Sequence, residues 1–184
     1  MKIFVISDTH GRIKKAVEVY KGLTDVDLMI HLGDYKKDAR DLESRLGIET
    51  VFVEGNMDGS MTQESSSKIV DTEYGKILIT HGHLDNVKNG FESIASRCIS
   101  EGCKAVLFGH THRPLYEEKN GIYLLNPGSI SVPRDGSYGS YAIIHTSDDE
   151  FRASIVYCDK KNSPLGGKRP GGYLKRLLNY SDRF

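Results

Sequence analysis

The sequence has no apolar stretch long enough to span a bilayer, no internal repeat and no excess of either charge. Lys plus Arg and Asp plus Glu both number 25, so the formal net charge is zero. That balance argues against nucleic acid as an obligate partner and against a membrane-surface role. Cysteine is scarce. Cys98, Cys103 and Cys158 are odd in number and scattered, which excludes a disulfide framework, and no CxxC pair points to zinc. They read as reduced, mostly buried thiols of a cytoplasmic protein. The N-terminal MKIFVISDTHG carries too short an apolar run for a secretory leader and passes straight into Asp8 and His10, so it reads as a first strand. Gly167-Lys168 lacks the Ser/Thr and the preceding strand of a phosphate-binding P-loop.

What is present fits one globular domain of ordinary composition. The chain has 184 residues, 38% hydrophobic and 27% charged. Strand-forming runs at 3–6, 28–32 and 50–53 alternate with helical spacing at 13–21 and 39–46, the latter ending at Gly47. This order predicts parallel βαβ units. Further on, runs at 68–72 and 76–80 flank Glu73-Tyr74-Gly75, and runs at 115–118 and 122–125 flank Asn120-Gly121. Runs at 141–145 and 151–157 flank Asp148-Asp149, so three hairpins are expected. A helix over 90–100 and a buried strand over 105–108 complete the set. A parallel half joined to an antiparallel half predicts two packed sheets with helices outside.

The expected domain covers residues 1–158, and 159–184 is a Gly/Pro-containing tail with seven basic and two acidic residues. One or two helical turns over 173–180 would place Leu174, Leu177 and Leu178 on one face, to pack on the domain or on a second subunit of a homo-oligomer.

Five apolar runs end in groups able to bind a metal. They lead in turn to Asp8 and His10, to Asp34, to Asn56, to His81 and His83, and to His110 and His112. In α/β sheets ligands gather beyond the carboxyl ends of the strands. Side chains two apart in extended backbone point the same way, which predicts that Asp8 converges with His10, and His110 with His112. Carboxylate, amide and imidazole donors without thiolate suit Mn²⁺ first, then Ni, Fe, Co or Zn. Seven protein ligands exceed the needs of one ion and fit two, especially if one carboxylate bridges them. Each fragment alone has an ordinary explanation: a chance Asp-x-His, a turn at Gly33-Asp34, a cap at Gly55-Asn56, packed histidines at 81 and 83. Five in this order, each after a strand, do not. His31, inside a strand, reads as a packed histidine, and His145, in the last hairpin, as structural or solvated. Arg12 and Arg134 read as surface charges as readily as phosphate contacts.

Taken in order, DTH at 8–10, GDYKKD at 33–38, GNMD at 55–58, THGH at 80–83 and GHTH at 109–112 resemble the motifs of calcineurin-like metallophosphoesterases. The short length and Asn126-Pro127-Gly128-Ser129 are most similar to the small YfcE-like phosphodiesterases. The resemblance implies a four-layer α/β/β/α sandwich of two mixed sheets with outer helices. It implies that Asp8, His10 and His112 hold one metal, that Asn56, His81 and His110 hold the other, and that Asp34 bridges. The implied reaction is hydrolysis of a small-molecule phosphate ester, most readily a phosphodiester, by a metal-bridging hydroxide. Many relatives place a histidine after the Asn of GN; here Met57 stands there and cannot protonate a leaving group. The proton must then come from His83, a water or the substrate; His83 is the candidate acid, with a packing or ligand-supporting role as its alternative, and Asp58 either orients His10 or caps a helix. The rival reading is an interaction scaffold of the same fold, like the small subunit of the retromer coat. A nuclease subunit is disfavoured because no further domain for gripping DNA is present.

Overall fold

The structure, a computed structural model, describes residues 1–158; the basic tail and its expected helical turns lie outside the described residues. Among the described residues ten strands form two sheets of five. The first sheet contains β1 (Lys2–Ile6), β2 (Leu28–His31), β3 (Thr50–Phe52), β9 (Ser140–Thr146) and β10 (Phe151–Tyr157), in the order β10-β9-β1-β2-β3. The second contains β4 (Ser67–Thr72), β5 (Gly75–Thr80), β6 (Ala105–Phe108), β7 (Pro114–Lys119) and β8 (Ile122–Pro127), in the order β4-β5-β6-β8-β7.

Both sheets are mixed. β1, β2 and β3 run parallel, with β9 and β10 added antiparallel. β5, β6 and β8 run parallel between antiparallel β4 and β7. The two mixed sheets are those expected. The last hairpin returns to the first sheet, where Lys2 pairs with His145 and Val5 with Ala142.

Strand alternation sorts the core into layers. Ile3, Val5, Ile30 and Leu32 face Ile77, Ile79, Leu107 and Leu125 between the sheets. Phe4, Ile6 and Met29 turn outward, where α1 (Lys14–Lys21) and α2 (Lys36–Leu46) cover them with Ala16 and Leu42. Leu78, Val106, Phe108 and Leu124 turn the other way and pack beneath α4 (Glu92–Ser100) through Ile94, Ala95 and Cys98. The result is the expected α/β/β/α sandwich. Burying each such aliphatic side chain contributes about 1.5–3 kcal/mol. Gly47 ends α2 in the left-handed conformation, φ 64°, with its N–H on the Glu43 carbonyl, as the sequence predicts. A one-turn helix, α3 (Gln63–Ser66), was not expected; Thr62 caps it by accepting from the Ser65 N–H. All three cysteines are buried. No helix among the described residues is long and apolar enough to cross a membrane.

His31 is fully buried in β2, as a packed histidine. Its Nδ1 accepts from the Gly33 N–H at 3.3 Å, so Nε2 carries the proton toward the Thr9 hydroxyl at 3.0 Å. Burial pushes its pKa down to about 4, against attraction from Asp8, Asp38 and Asp58. A histidine with a depressed folded pKa contributes stability above its unfolded pKa, about 6.5, and loses it as pH falls toward about 4. Relative to His31→Gln, the wild type should lose up to roughly 3 kcal/mol across that window, read by denaturant unfolding of the metal-free protein. Parallel pH profiles for the two proteins would refute this role.

Candidate metal centre

The parallel strands of both sheets end at one rim, and the ligand-bearing loops follow β1, β2, β3, β5 and β6. The local geometry differs from simple strand alternation. β1 stops at Ile6, and Asp8 and His10 both adopt left-handed backbone, φ 55° and 48°. Asp34, His110 and His112 do the same at 56°, 65° and 58°. Such residues cost roughly 1–3 kcal/mol each and persist only where the surroundings hold them. The pairs therefore converge through tight left-handed turns, not along extended chain. Two glycines are needed for space. A Cβ on Gly55 would sit 2.2 Å from Asp34 Oδ1, and one on Gly109 would sit 2.1 Å from Ser7 Oγ.

Asp8, His10, Asp34 and His112 present ligand atoms that all lie within 4.8 Å of one another. His112 Nδ1 donates to the Val132 carbonyl at 2.6 Å, so in the neutral ring Nε2 keeps its lone pair. That Nε2 lies 3.2 Å from Asp8 Oδ1, which is buried and has no hydrogen-bond donor among the described residues. His81 repeats the pattern. Its Nδ1 donates to the Leu32 carbonyl at 2.7 Å, leaving Nε2 aimed at Asp34 Oδ1 (3.4 Å) and Asn56 Oδ1 (3.2 Å). Asp34 offers its other oxygen, Oδ2, to His10 Nε2 at 3.5 Å. His10 and His112 bring their Nε2 atoms within 3.3 Å of each other. Acceptors crowded against acceptors repel unless a cation lies between them, and the donor set is one that divalent ions favour. The residues fit a metal site.

The remaining ligand candidate, His110, packs its ring 5.1 Å from that of His81, while its backbone N–H donates to Asp8 Oδ2 at 3.1 Å. Burial, then His81 and Lys88, push its pKa down to about 4, so it is neutral and able to ligate near pH 7. Burial alone would raise Asp8, but the positive charge that a proton on His112 or His81 brings, together with the Ser7 hydroxyl, holds it below the usual range. Burial would lower His112, yet the adjoining Asp8 carboxylate raises it.

His83 lies beside this group, its ring 5.2 Å from His81 and 6.0 Å from His110. Nε2 lies 3.0 Å from the Ser60 carbonyl, and Nδ1 is buried without a partner. Asp58 does not meet His10. Its two oxygens accept from the backbone N–H groups of Lys36 (2.7 Å) and Gly55 (3.0 Å), which is the capping geometry and ties the GNMD loop to the start of α2. Of the two roles that the sequence left open for Asp58, these contacts are those of a cap.

Several supporting residues escaped the sequence reading. Ser7 Oγ donates to Asp8 Oδ2 at 2.6 Å, and Ser129 Oγ to the Asp8 carbonyl at 2.8 Å. Asn126 Nδ2 donates to the Gly109 carbonyl at 2.8 Å and to Thr111 Oγ1 at 3.1 Å, bracing the GHTH loop. Buried Asp85 takes the Thr80 hydroxyl at 3.0 Å and the Arg97 guanidinium at 2.8 Å, fixing the loop that carries His81 and His83. The Asn-Pro-Gly-Ser run drew attention to Asn126 and Ser129, but nothing in the spacing linked Asp85 to Arg97.

Comparison with known proteins agrees with this geometry. The calcineurin-like phosphoesterase superfamily domain matches residues 1–149. The chain belongs to this superfamily. It is 34% identical over 169 residues to YsnB of Bacillus subtilis, named a probable metallophosphoesterase, covering 90% of this chain and 95% of that one. It is 27% identical to the phosphodiesterase MJ0936 of Methanocaldococcus jannaschii, over 85% of this chain and 99% of the relative. A solved conserved protein of Streptococcus pneumoniae, described as a predicted phosphoesterase, superposes with a TM-score of 0.71 at 28% identity, covering 91% of this chain and 94% of that one. Zinc-complexed Vps29 of Entamoeba histolytica superposes with a TM-score of 0.67 at 21% identity, covering 85% of this chain and 99% of that one, and shares the fold.

As a phosphoesterase-superfamily metal site, this centre depends on its braces. Asn126→Ala should weaken divalent-metal binding by about 10–100-fold without unfolding the protein, measured by metal titration alongside circular dichroism. Wild-type affinity in the variant would show that Asn126 does not hold the GHTH loop.

Proposed function

We propose that the chain is a dinuclear-metal phosphodiesterase acting on a small-molecule phosphate ester. The opposed acceptors around Asp34 carry this reading, because Asp34 turns one oxygen toward His10 and the other toward His81. Asp34 is then the shared ligand, with Asp8, His10 and His112 on one side and Asn56, His81 and His110 on the other. Mn²⁺ is the first candidate, ahead of Ni, Fe, Co and Zn, because every donor is an oxygen or an imidazole nitrogen. A pair of divalent cations, when bound, lowers the pKa of water and neutralises charge on the phosphoryl oxygens.

The chain's own residues prepare that chemistry. The Val132 and Leu32 carbonyls fix the tautomers of His112 and His81, so both present lone pairs without rearrangement. Ser7 and the His110 N–H occupy Asp8 Oδ2 and leave Oδ1 free to ligate. Asp58 is a positioning residue that keeps Asn56 beside Asp34. Met57, 55% exposed, has no proton to donate. His83 is the candidate donor to the leaving group. Its Nε2–H is engaged by Ser60, so a proton on Nδ1 is the one that can transfer. With Met57 in place of the histidine that many relatives carry, good leaving groups react fastest. The phosphodiesterase names among the relatives support the preference for diesters.

A scaffold role draws on one observation. Met57, Met61 and Leu84 are 55%, 83% and 39% exposed and follow closely on Asn56 and His83, an apolar rim that a partner could cover. Catalysis separates the two readings. The Mn²⁺-loaded protein should cleave a 4-nitrophenyl diester faster than the matched monoester and lose activity to chelator. Faster monoester cleavage would contradict the diesterase assignment, and inactivity with full metal loading would favour the scaffold. Asp34→Ala should lose both ions and at least a hundredfold of kcat/KM; retention of metals and activity would remove the shared-ligand role.

A further inference from the structure

A cavity of about 440 Å³ opens beside the metal centre, on the far side of the GHTH loop. Its floor is apolar, with Phe91, Phe108 and Leu115 among its lining residues, and Phe91 is half-buried with its ring 5.2 Å from that of Phe108. Lys88, Arg113 and Arg134 line it as well, and all three are exposed. Among the described residues none of the three has a carboxylate partner. Thr111, between His110 and His112, forms the wall shared with the metal centre.

The cations are anchored to the metal-binding loop. The Arg134 N–H donates to the His112 carbonyl at 3.1 Å, and the Arg113 N–H to Thr111 Oγ1 at 3.2 Å. A ligand arm leaving a phosphorus at the metal centre toward Thr111 would meet an apolar surface able to take a flat ring, then three positive charges. Cavities of this size accept a drug-sized group, and guanidinium groups suit phosphate oxygens. Cations with no carboxylate partner among the described residues, set around an apolar floor, complement an arm that is both aromatic and anionic.

Resting on the phosphodiesterase reading, we propose that this cavity is a substrate-arm subsite and that the substrate class is a nucleotide-like phosphodiester. Its aromatic base lies against Phe91, and a further phosphate lies among Lys88, Arg113 and Arg134. A simple diester without the extra phosphate uses only part of this surface.

Adenosine 3′,5′-bisphosphate, with adenosine as the uncharged control, tests the subsite by calorimetry on the full chain with and without Mn²⁺. The bisphosphate should bind at least tenfold tighter than adenosine, with affinity falling as salt rises. Arg113→Gln/Arg134→Gln should lose at least fivefold, and Arg113→Lys/Arg134→Lys should recover most of that loss, which guards against a merely misfolded variant. Phe91→Ala should weaken both ligands. A loss under fivefold in the Gln variant, or adenosine binding as tightly as the bisphosphate, overturns the proposal. Hydrolysis of bis(4-nitrophenyl) phosphate by the wild type separates the two readings: if it proceeds while the bisphosphate test fails, only the subsite falls. If no ester is cleaved, the phosphodiesterase reading fails, and the calorimetry still decides what the cavity binds.

Discussion

Lone pairs that face one another across little more than 3 Å are the constraint on which this molecule turns. His112 Nε2 against Asp8 Oδ1, and His81 Nε2 against Asp34 Oδ1, are contacts between acceptors whose protons have been drawn to the opposite ring nitrogens by backbone carbonyls. Such an arrangement is unfavourable by itself and favourable around cations. The backbone bears a related cost, because five of the seven candidate ligand residues sit in left-handed conformations that only Gly adopts freely.

The sandwich supplies the rigidity that this requires. Two mixed sheets pack through Ile3, Val5, Ile30 and Leu32 against Ile77, Ile79, Leu107 and Leu125, so their parallel strands discharge loops at one rim. Hydrogen bonds then stitch the loops across the seam. The His110 N–H reaches Asp8, His81 reaches the Leu32 carbonyl, and Ser129 reaches the Asp8 carbonyl. A centre shared by two sheets is accordingly sensitive to residues that touch no substrate, such as Asn126, Asp58 and Asp85.

Much of this was legible in the sequence, for identifiable reasons. Short β-branched runs bounded by Gly and Asp marked nearly every strand, because a buried strand reads as a continuous apolar run. Gly47 marked the end of α2, but its start did not show. The helix begins at Lys36, three residues before the expected Ala39, because Tyr35 enters it in the left-handed conformation with no capping side chain. The return of β9 and β10 to the first sheet is a long-range pairing that local pattern does not encode. The candidate ligand residues stood out by type and order. Their means of convergence did not, since left-handed turns at Asp8 and His110 replace the extended backbone that spacing alone would suggest. Asp58 was ambiguous in the sequence because an acid in that place serves equally as a cap or as a partner for histidine, and only its contacts with Lys36 and Gly55 distinguish the two.

The most direct test of the account is a crystal structure of the Mn²⁺-loaded protein with anomalous scattering data. Two anomalous peaks about 3.5–4 Å apart, one against Asp8, His10 and His112 and the other against Asn56, His81 and His110, with Asp34 touching both, are the predicted result. A single peak, or two peaks that do not share Asp34, would contradict it.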